Sequence, residues 1–287
     1  TINTMAICLD PDRFGQLLDP FGGREDLERG LIRVLHNFSF IEDPTRILRA
    51  VRFEQRFGFR IESRSAELVA GALDLLDNVS GDRLRHELFA ILDEPEPERY
   101  LVRLQELGAL AKIHPRLKID EGISDQFRRL RADGPSVTAL NYLAVLTRAL
   151  SRVNTLEVAS RLKLAKNDVL FLEQTGGLGE MERELSAREM SRSELVHRLA
   201  DFQDAALEFT ARVTAAPIVA ERIRLYREQL AQIQPHLDGN DLKRLGVPPG
   251  PHYREILTLL RDQRLDGRIE SQRDEESWVR KWEIEKR

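Results

Sequence analysis

Five arginines near residue 50 follow one another at helical spacing. The intervals between them are three, three, four and four residues, and at about 100° per residue they fall within roughly 120° of one face if the helix extends that far. These arginines are Arg46, Arg49, Arg52, Arg56 and Arg60. Like charges one turn apart destabilise a helix unless anions lie against them. The stripe is therefore either a solvated or salt-bridged helix face, or a binding site for polyphosphate or a nucleic-acid backbone.

An acidic residue lies at the start of this segment. Pro44 suits the first turn of a helix, where a backbone N–H is not needed, and Asp43 before it is favourable at the positive end of the helix dipole. Asp43 offers hydrogen-bond acceptors and Arg46 offers a forked donor. Together they could read the edge of a nucleobase, because bases present paired donors and acceptors. The pattern predicts a helix over 43–57.

The elements that must position these residues are mostly helical. Two short apolar segments, 1–10 and 16–21, predict a β-hairpin, and a short helix over 24–30 and a strand over 31–35 follow. From residue 42 onward the apolar residues recur with a helical period. Beyond 43–57, helices are predicted over 64–77, 81–93, 96–113, 124–132, 137–152, 155–163, 167–185, 192–213, 217–233, 240–245, 252–264 and 271–285. The expected fold is mainly α, with a short β-hairpin followed by an all-helical region.

Composition narrows the class of protein. The 287 residues are 41% hydrophobic and 32% charged, which excludes a disordered or collagen-like chain, and no apolar run is long enough to span a membrane. A single cysteine, Cys8, excludes an internal disulfide and a cysteine-cluster zinc site. We therefore expect a soluble, cytoplasmic protein. Arginine greatly outnumbers lysine, which fits either codon usage or the binding of phosphates and bases, and composition alone does not separate the two.

Several segments together resemble one enzyme family. The run EDPTRILRAVRF at 42–53, the segment DPFGG at 19–23 and the opening TINTMA at 1–6 closely resemble bacterial tRNA nucleotidyltransferases and poly(A) polymerases. These class II nucleotidyltransferases add CCA, CC or A to tRNA 3′ ends. The resemblance covers residues 1 to about 115, where SGDRLRHEL at 80–88 is similar to the family's later Arg…Glu motif. Beyond residue 120 it is general, ending in a GxDL…G…PGP pattern at 239–251.

The resemblance implies a division of the chain. In this family a head domain with a DxD pair holds magnesium ions, and a helical neck, body and tail follow and grip the tRNA. The implied segments are 1–36 as a remnant of the head, 37–94 as the neck with the nucleotide template, 95–152 as the body and 153–287 as the tRNA-binding tail.

The resemblance also implies roles for the residues that carry it. Asp43 and Arg46 would hydrogen-bond the Watson–Crick edge of CTP or ATP, and Glu42 would orient the pair. Arg49 and Arg52 would contact the nucleotide, at its phosphates.

Three further residues are expected to support the site. Arg83 and Glu87 lie one helical turn apart, which implies an ion pair that shapes the neck, and a purely structural role for that pair stays open beside a catalytic one. Asn3 belongs to the matching opening segment.

The metal-binding residues of the family are expected outside this chain. The family's GGxVRD segment and DxD pair precede an RRDFTIN motif, and the sequence starts at TIN. We therefore expect no catalytic or metal-binding residue here, with Mg²⁺ held by the missing N-terminal head, because phosphoryl transfer depends on positioning and on metal charge.

The expected function is part of a template-independent enzyme that transfers CMP or AMP from CTP or ATP to tRNA 3′ ends. The chain would supply base selection and tRNA binding, with no membrane partner. The alternative is a non-catalytic helical module that binds RNA or protein.

Overall fold

The computed structural model of the protein describes residues 1–132 and 137–285. Its contacts divide the chain into two compact units, unit 1 over Thr1–Gly177 and unit 2 from Leu178 onward. In the described ranges no helix is long and apolar enough to cross a membrane. The finer division into head remnant, neck, body and tail stays a prediction.

Short strands open unit 1. Strand β1 (Ala6–Ile7) pairs antiparallel with β2 (Leu17–Leu18), which confirms the predicted hairpin, although Ile2–Thr4 and Pro11–Arg13 form 3-10 turns and shorten its strands. Strand β3 (Leu31–Ile32) pairs in parallel with β4 (Arg60–Ile61), a strand that the sequence did not predict.

Helices make up most of both units, which confirms the mainly α fold class. In unit 1, or starting in it, they are α1 (Gly23–Glu28), α2 (Ser39–Glu42), α3 (Arg46–Phe57), α4 (Ser63–Ala72), α5 (Gly81–Leu92), α6 (Pro97–Glu106), α7 (Ala109–Ile113), α8 (Glu121–Ala132), α9 (Ala139–Thr147), α10 (Arg152–Arg161) and α11 (Lys166–Leu185). In unit 2 they are α12 (Arg192–Leu199), α13 (Asp204–Val213), α14 (Pro217–Leu225), α15 (Gly239–Arg244), α16 (His252–Leu265) and α17 (Gln272–Glu285).

The ends of α3 differ from the predicted helix over 43–57. Asp43 has an extended backbone, with φ −145° and ψ 93°, because the residue before a proline is disfavoured in the helical region. At the other end Gly58 adopts a left-handed conformation with φ 65°, a common way to end a helix. Arg60 therefore lies in β4 and not on the helix, so the expected stripe keeps its first four arginines.

Other helices break where the sequence predicted continuity. Gly108, with φ 79°, separates α6 from α7 inside the predicted helix 96–113. The predicted helix 192–213 divides into α12 and α13, because Gln203 is extended with ψ 146°. Of the predicted helix 64–77, the first part forms α4, which ends at Ala72, and Leu73–Asn78 form a 3-10 helix.

The core of unit 1 forms where α3 packs against α5 and α6. Ile47, Leu48 and Val51 of α3 are fully buried. Leu84 of α5 and Leu101 of α6 are also fully buried. This packing fixes one face of α3 and leaves its arginine-bearing face outside the core.

A buried carboxylate joins three elements of this core. Glu54 of α3 is only 5% exposed and accepts hydrogen bonds from the Ile61 backbone N–H of β4, at 2.9 Å, and from Nε of Arg103 of α6, at 2.8 Å. Both donors compensate for removing the charge from water.

Unit 2 has its own apolar cluster. Trp278 and Trp282 of α17 pack against it. The buried members are Leu237, Leu242, Val247, Ile256, Leu260, Ile269 and Val279.

Replacing Glu54 tests its structural role. We expect Glu54→Ala to lower the free energy of unfolding by about 3 kcal/mol, because Arg103 loses a buried partner and the Ile61 N–H is left unpaired. Urea unfolding measures the change. Glu67→Ala is the control, since Glu67 pairs with Arg64 at the surface and should cost at most about 1 kcal/mol. Equal losses in the two variants would contradict the assignment.

Candidate functional site

Asp43 lies in the turn between α2 and α3, where one of its oxygens accepts three hydrogen bonds. Oδ1 accepts from the Thr45 backbone N–H at 3.1 Å and from the Thr45 hydroxyl at 2.6 Å. It also accepts from Nη2 of Arg83 of α5, at 2.7 Å. A local turn and a distant helix thus hold the carboxylate in one orientation.

These contacts set the charge of Asp43. Partial burial of the carboxyl raises its pKa, but the Thr45 hydroxyl, the Arg83 charge and the Thr45 backbone N–H lower it, and the net effect is a pKa below the ordinary value. Asp43 is therefore an ionised acceptor at neutral pH.

Arg46 and Glu42 lie beside this turn. Nη1 of Arg46 donates to the Ser39 carbonyl at 3.2 Å and lies 3.8 Å from Oε2 of Glu42. Both side chains stay largely exposed, at 42% for Arg46 and 56% for Glu42. The structure thus places Glu42 beside Arg46 and leaves the Arg46 guanidinium accessible. The joint role of Asp43 and Arg46 at a base edge stays a prediction.

Arg49 follows one turn later and borders two cavities. Its side chain is exposed and has no hydrogen bond or ion pair to any residue that the structure describes. The first cavity is lined by Asn3, Arg46, Arg49 and Phe53, among others. Asn3 therefore lies at the same cavity as two of the predicted nucleotide-binding arginines.

The second cavity shares Arg49 with the first. It is lined by Asp43, Thr45, Arg49, Asp82, Arg83, His86 and Glu87. This cavity therefore contains the acceptor Asp43, the free cation Arg49, and Arg83 and Glu87 of α5.

Arg52 has a different surrounding from Arg49. Its Nε lies 2.7 Å from Oε1 of Glu94, a carboxylate whose side chain is 7% exposed, and Nη1 of Arg56 lies 3.6 Å from the same oxygen. Tyr100 donates to the other oxygen of Glu94 at 3.3 Å. Arg52 lines neither cavity, so its predicted contact with the nucleotide gains no geometric support.

The expected ion pair between Arg83 and Glu87 does not form. Arg83 points to Asp43 instead, and Glu87 has no hydrogen bond or ion pair within the described part of the chain. Arg83 Nη2 lies 2.7 Å from Oδ1 of Asp43, whose side chain is 22% exposed, so the Arg83 charge is used to compensate for the partial burial of the Asp43 carboxylate.

Sequence reasoning missed two residues that organise the site. Thr45 had a local signal, because an Asp side chain commonly accepts a hydrogen bond from the backbone N–H two residues later, in an Asx-turn. Glu94 had none, because 42 residues separate it from Arg52.

No group of three or more His, Cys, Asp or Glu side chains in the described ranges could hold a metal ion. The expectation that metal-binding aspartates lie elsewhere stays a prediction.

Known proteins share sequence with this chain along most of its length. Residues 58–120 match a family model described as the probable RNA- and SrmB-binding site of polymerase A. The A-adding tRNA nucleotidyltransferase of Geobacter sulfurreducens is 37% identical over 96% of this chain and 33% of its own length. That of Halalkalibacterium halodurans is 32% identical over 98% of this chain and 66% of its own. The chain belongs to the tRNA nucleotidyltransferase family. It spans one third and about two thirds of these two relatives.

Solved structures of tRNA nucleotidyltransferases share the fold. A CCA-adding enzyme in complex with CTP has a TM-score of 0.76 at 28% identity, covering 100% of this chain and 71% of that one. The Thermotoga maritima CCA-adding enzyme in complex with tRNA has a TM-score of 0.71 at 28% identity, covering 97% and 70%. The mainly helical architecture is thus that of CCA-adding enzymes.

Removing the Arg83 charge should change the titration of Asp43. In Arg83→Met we expect the pKa of Asp43 to rise toward or above its ordinary value, because burial is then opposed only by Thr45. A carboxyl carbon NMR titration measures it. The depressed pKa contributes stability that is complete above the unfolded value and is lost as the pH falls through the folded value, so the variant loses this contribution. Arg64→Met is the control, and an unchanged Asp43 titration in Arg83→Met would refute the coupling.

Proposed function

We propose that this chain is the base-selecting and tRNA-binding part of an enzyme that transfers CMP or AMP from CTP or ATP to the 3′ end of tRNA. The transfer releases pyrophosphate. The observation that carries the proposal is the junction of α2 and α3, where an ionised acceptor, Asp43, and a forked donor, Arg46, each share a cavity with the free cation Arg49.

Asp43 and Arg46 suit the two bases that these enzymes add. The Watson–Crick edges of cytosine and adenine both present an amino donor next to a ring-nitrogen acceptor. Oδ1 of Asp43 is taken by Thr45 and Arg83, and no described group donates to Oδ2, which can accept from the amino group. Arg46 can donate to the ring nitrogen. Guanine and uracil present the opposite pattern at the ring nitrogen, so this pair would select against them.

The phosphates would be bound chiefly by Arg49. Its guanidinium has no acidic partner among the described residues, whereas Arg52 is neutralised by Glu94. A guanidinium donates in a fixed fork that matches phosphate oxygens. Asn3, across the first cavity, can add a neutral donor.

The relatives favour addition of A. Two relatives that match almost the whole chain, from G. sulfurreducens and H. halodurans, are A-adding enzymes. Solved relatives include CCA-adding enzymes in complex with ATP, with CTP and with tRNA. We therefore propose tRNA and ATP as the main substrates, and a tRNA substrate implies action in the cytoplasm.

The family implies a divalent metal, and we propose Mg²⁺. The described residues do not fit such a site, since no cluster of three or more suitable side chains occurs among them. No step is therefore assigned to a metal here. The residues of this chain select the base and hold the nucleotide.

The double variant Asp43→Ala, Arg46→Ala in the full-length enzyme that contains this chain tests base selection. We expect incorporation of labelled AMP into tRNA to fall about 100-fold, because two hydrogen bonds to the base are lost, each of about 1–2 kcal/mol. The preference for ATP over UTP and GTP should fall as well. Arg64→Ala, an exposed arginine of α4, is the control.

Two outcomes would contradict the proposal. Unchanged incorporation and unchanged base preference in the double variant would refute the template role. If the full-length wild-type protein binds tRNA but incorporates no nucleotide, the alternative of a non-catalytic RNA-binding module applies. The match to an RNA-binding family model favours that alternative.

A further inference from the structure

Helix α3 continues beyond its arginines into a row of aromatic rings. The rings of Phe53 and Phe57, one turn apart, are almost parallel, with 7° between their planes and 5.8 Å between their centroids. The ring of Phe59, just after the helix, lies 5.5 Å from that of Phe57. We call Phe53, Phe57 and Phe59 the aromatic row. Phe57 is 49% exposed, so water reaches about half of the central side chain.

The aromatic row is continuous with the candidate nucleotide site. Arg49 and Phe53 line the same cavity, and Phe57 follows one turn later on the same side of the helix. Arg49 and Arg56, seven residues apart, lie along one flank of the row. Arg56 remains 50% exposed, and its Nη1 lies 3.6 Å from Glu94. The row therefore begins at a cavity that contains Arg49, a cation without a described acidic partner.

We propose that the aromatic row binds the unpaired bases at the 3′ end of the RNA substrate, while Arg49 lies along its phosphates. The inference rests on the proposed function and adds the place where the acceptor strand is bound. Aromatic faces beside a cationic edge bind single-stranded nucleic acid with little sequence preference, because every base has a π-face and every nucleotide a phosphate.

Charge complementarity distinguishes this surface from the other exposed aromatic residues. Phe14, in the hairpin, is 75% exposed, but the nearby Arg13 has an acidic partner, since its Nη2 lies 3.9 Å from Asp10. Arg49 has no such partner in the described part of the chain. The match to an RNA-binding family model begins at residue 58, so it contains Phe59 and starts directly after Phe57.

Binding of two RNA hairpins tests the inference. One hairpin reproduces the acceptor stem with a single-stranded 3′ ACC end, and the other has the same stem with a blunt end. By fluorescence anisotropy we expect Phe57→Ala to bind the first hairpin about tenfold more weakly and the blunt hairpin with unchanged affinity, since a tenfold loss lies within the range for one lost stacking contact. Phe57→Trp should retain the affinity, and Phe14→Ala is the matched control.

Each other result overturns the inference. Phe57→Ala with wild-type affinity for the overhang, or with equal losses on both hairpins, refutes binding of unpaired bases. If Phe57→Ala has a lower free energy of unfolding but unchanged RNA affinity, the aromatic row packs within the protein and does not bind RNA. The base-selection proposal is tested independently, because its readout is nucleotide incorporation by the Asp43→Ala, Arg46→Ala enzyme and not binding of the overhang.

Discussion

The placement of buried carboxylates around α3 is the constraint on which unit 1 depends. Four arginines and three fully buried aliphatic side chains share this one helix, so the cations nearest the core need anionic partners. Glu94 pairs with Arg52 and Arg56, at 2.7 and 3.6 Å. A buried carboxylate is itself costly unless it is paired, so each of these groups requires the other. The pairing decides which arginines are structural and which stay free to bind an anion.

The free charge remains at the N-terminal half of α3, where Asp43 already lies. Arg46 has only a distant carboxylate, Glu42 at 3.8 Å, and Arg49 has no described partner. Arg83 and Thr45 fix the orientation of Asp43 before any ligand arrives, so little conformational entropy remains to be lost on binding. The same contacts keep Asp43 ionised, and an ionised acceptor forms the stronger hydrogen bonds with a base amino group.

Local features of this region could be predicted from sequence, and distant pairings could not. The helical period of the arginines and the order of Asp43, Pro44 and Arg46 predicted α3 and the group of residues at its start. The glycine in a left-handed conformation at Gly108 is also a local signal, although the predicted helix passed over it. The contact between Arg83 and Asp43 spans 40 residues and leaves no periodic trace. Strand β4 has two residues, too few to show the alternation of a strand.

Helix α3 carries residues suited to two kinds of contact with nucleotides. An acceptor and a donor at a base edge discriminate between bases, whereas phosphate contacts and stacking add affinity without discrimination. From Arg46 to Phe57 the helix rises about 16 Å, at 1.5 Å per residue. That length suits a nucleotide at one end and a few unpaired bases at the other. In the proposed binding mode one packed helix carries both kinds of contact, so the core of unit 1, and not a flexible loop, would set the geometry between the selected base and the RNA end.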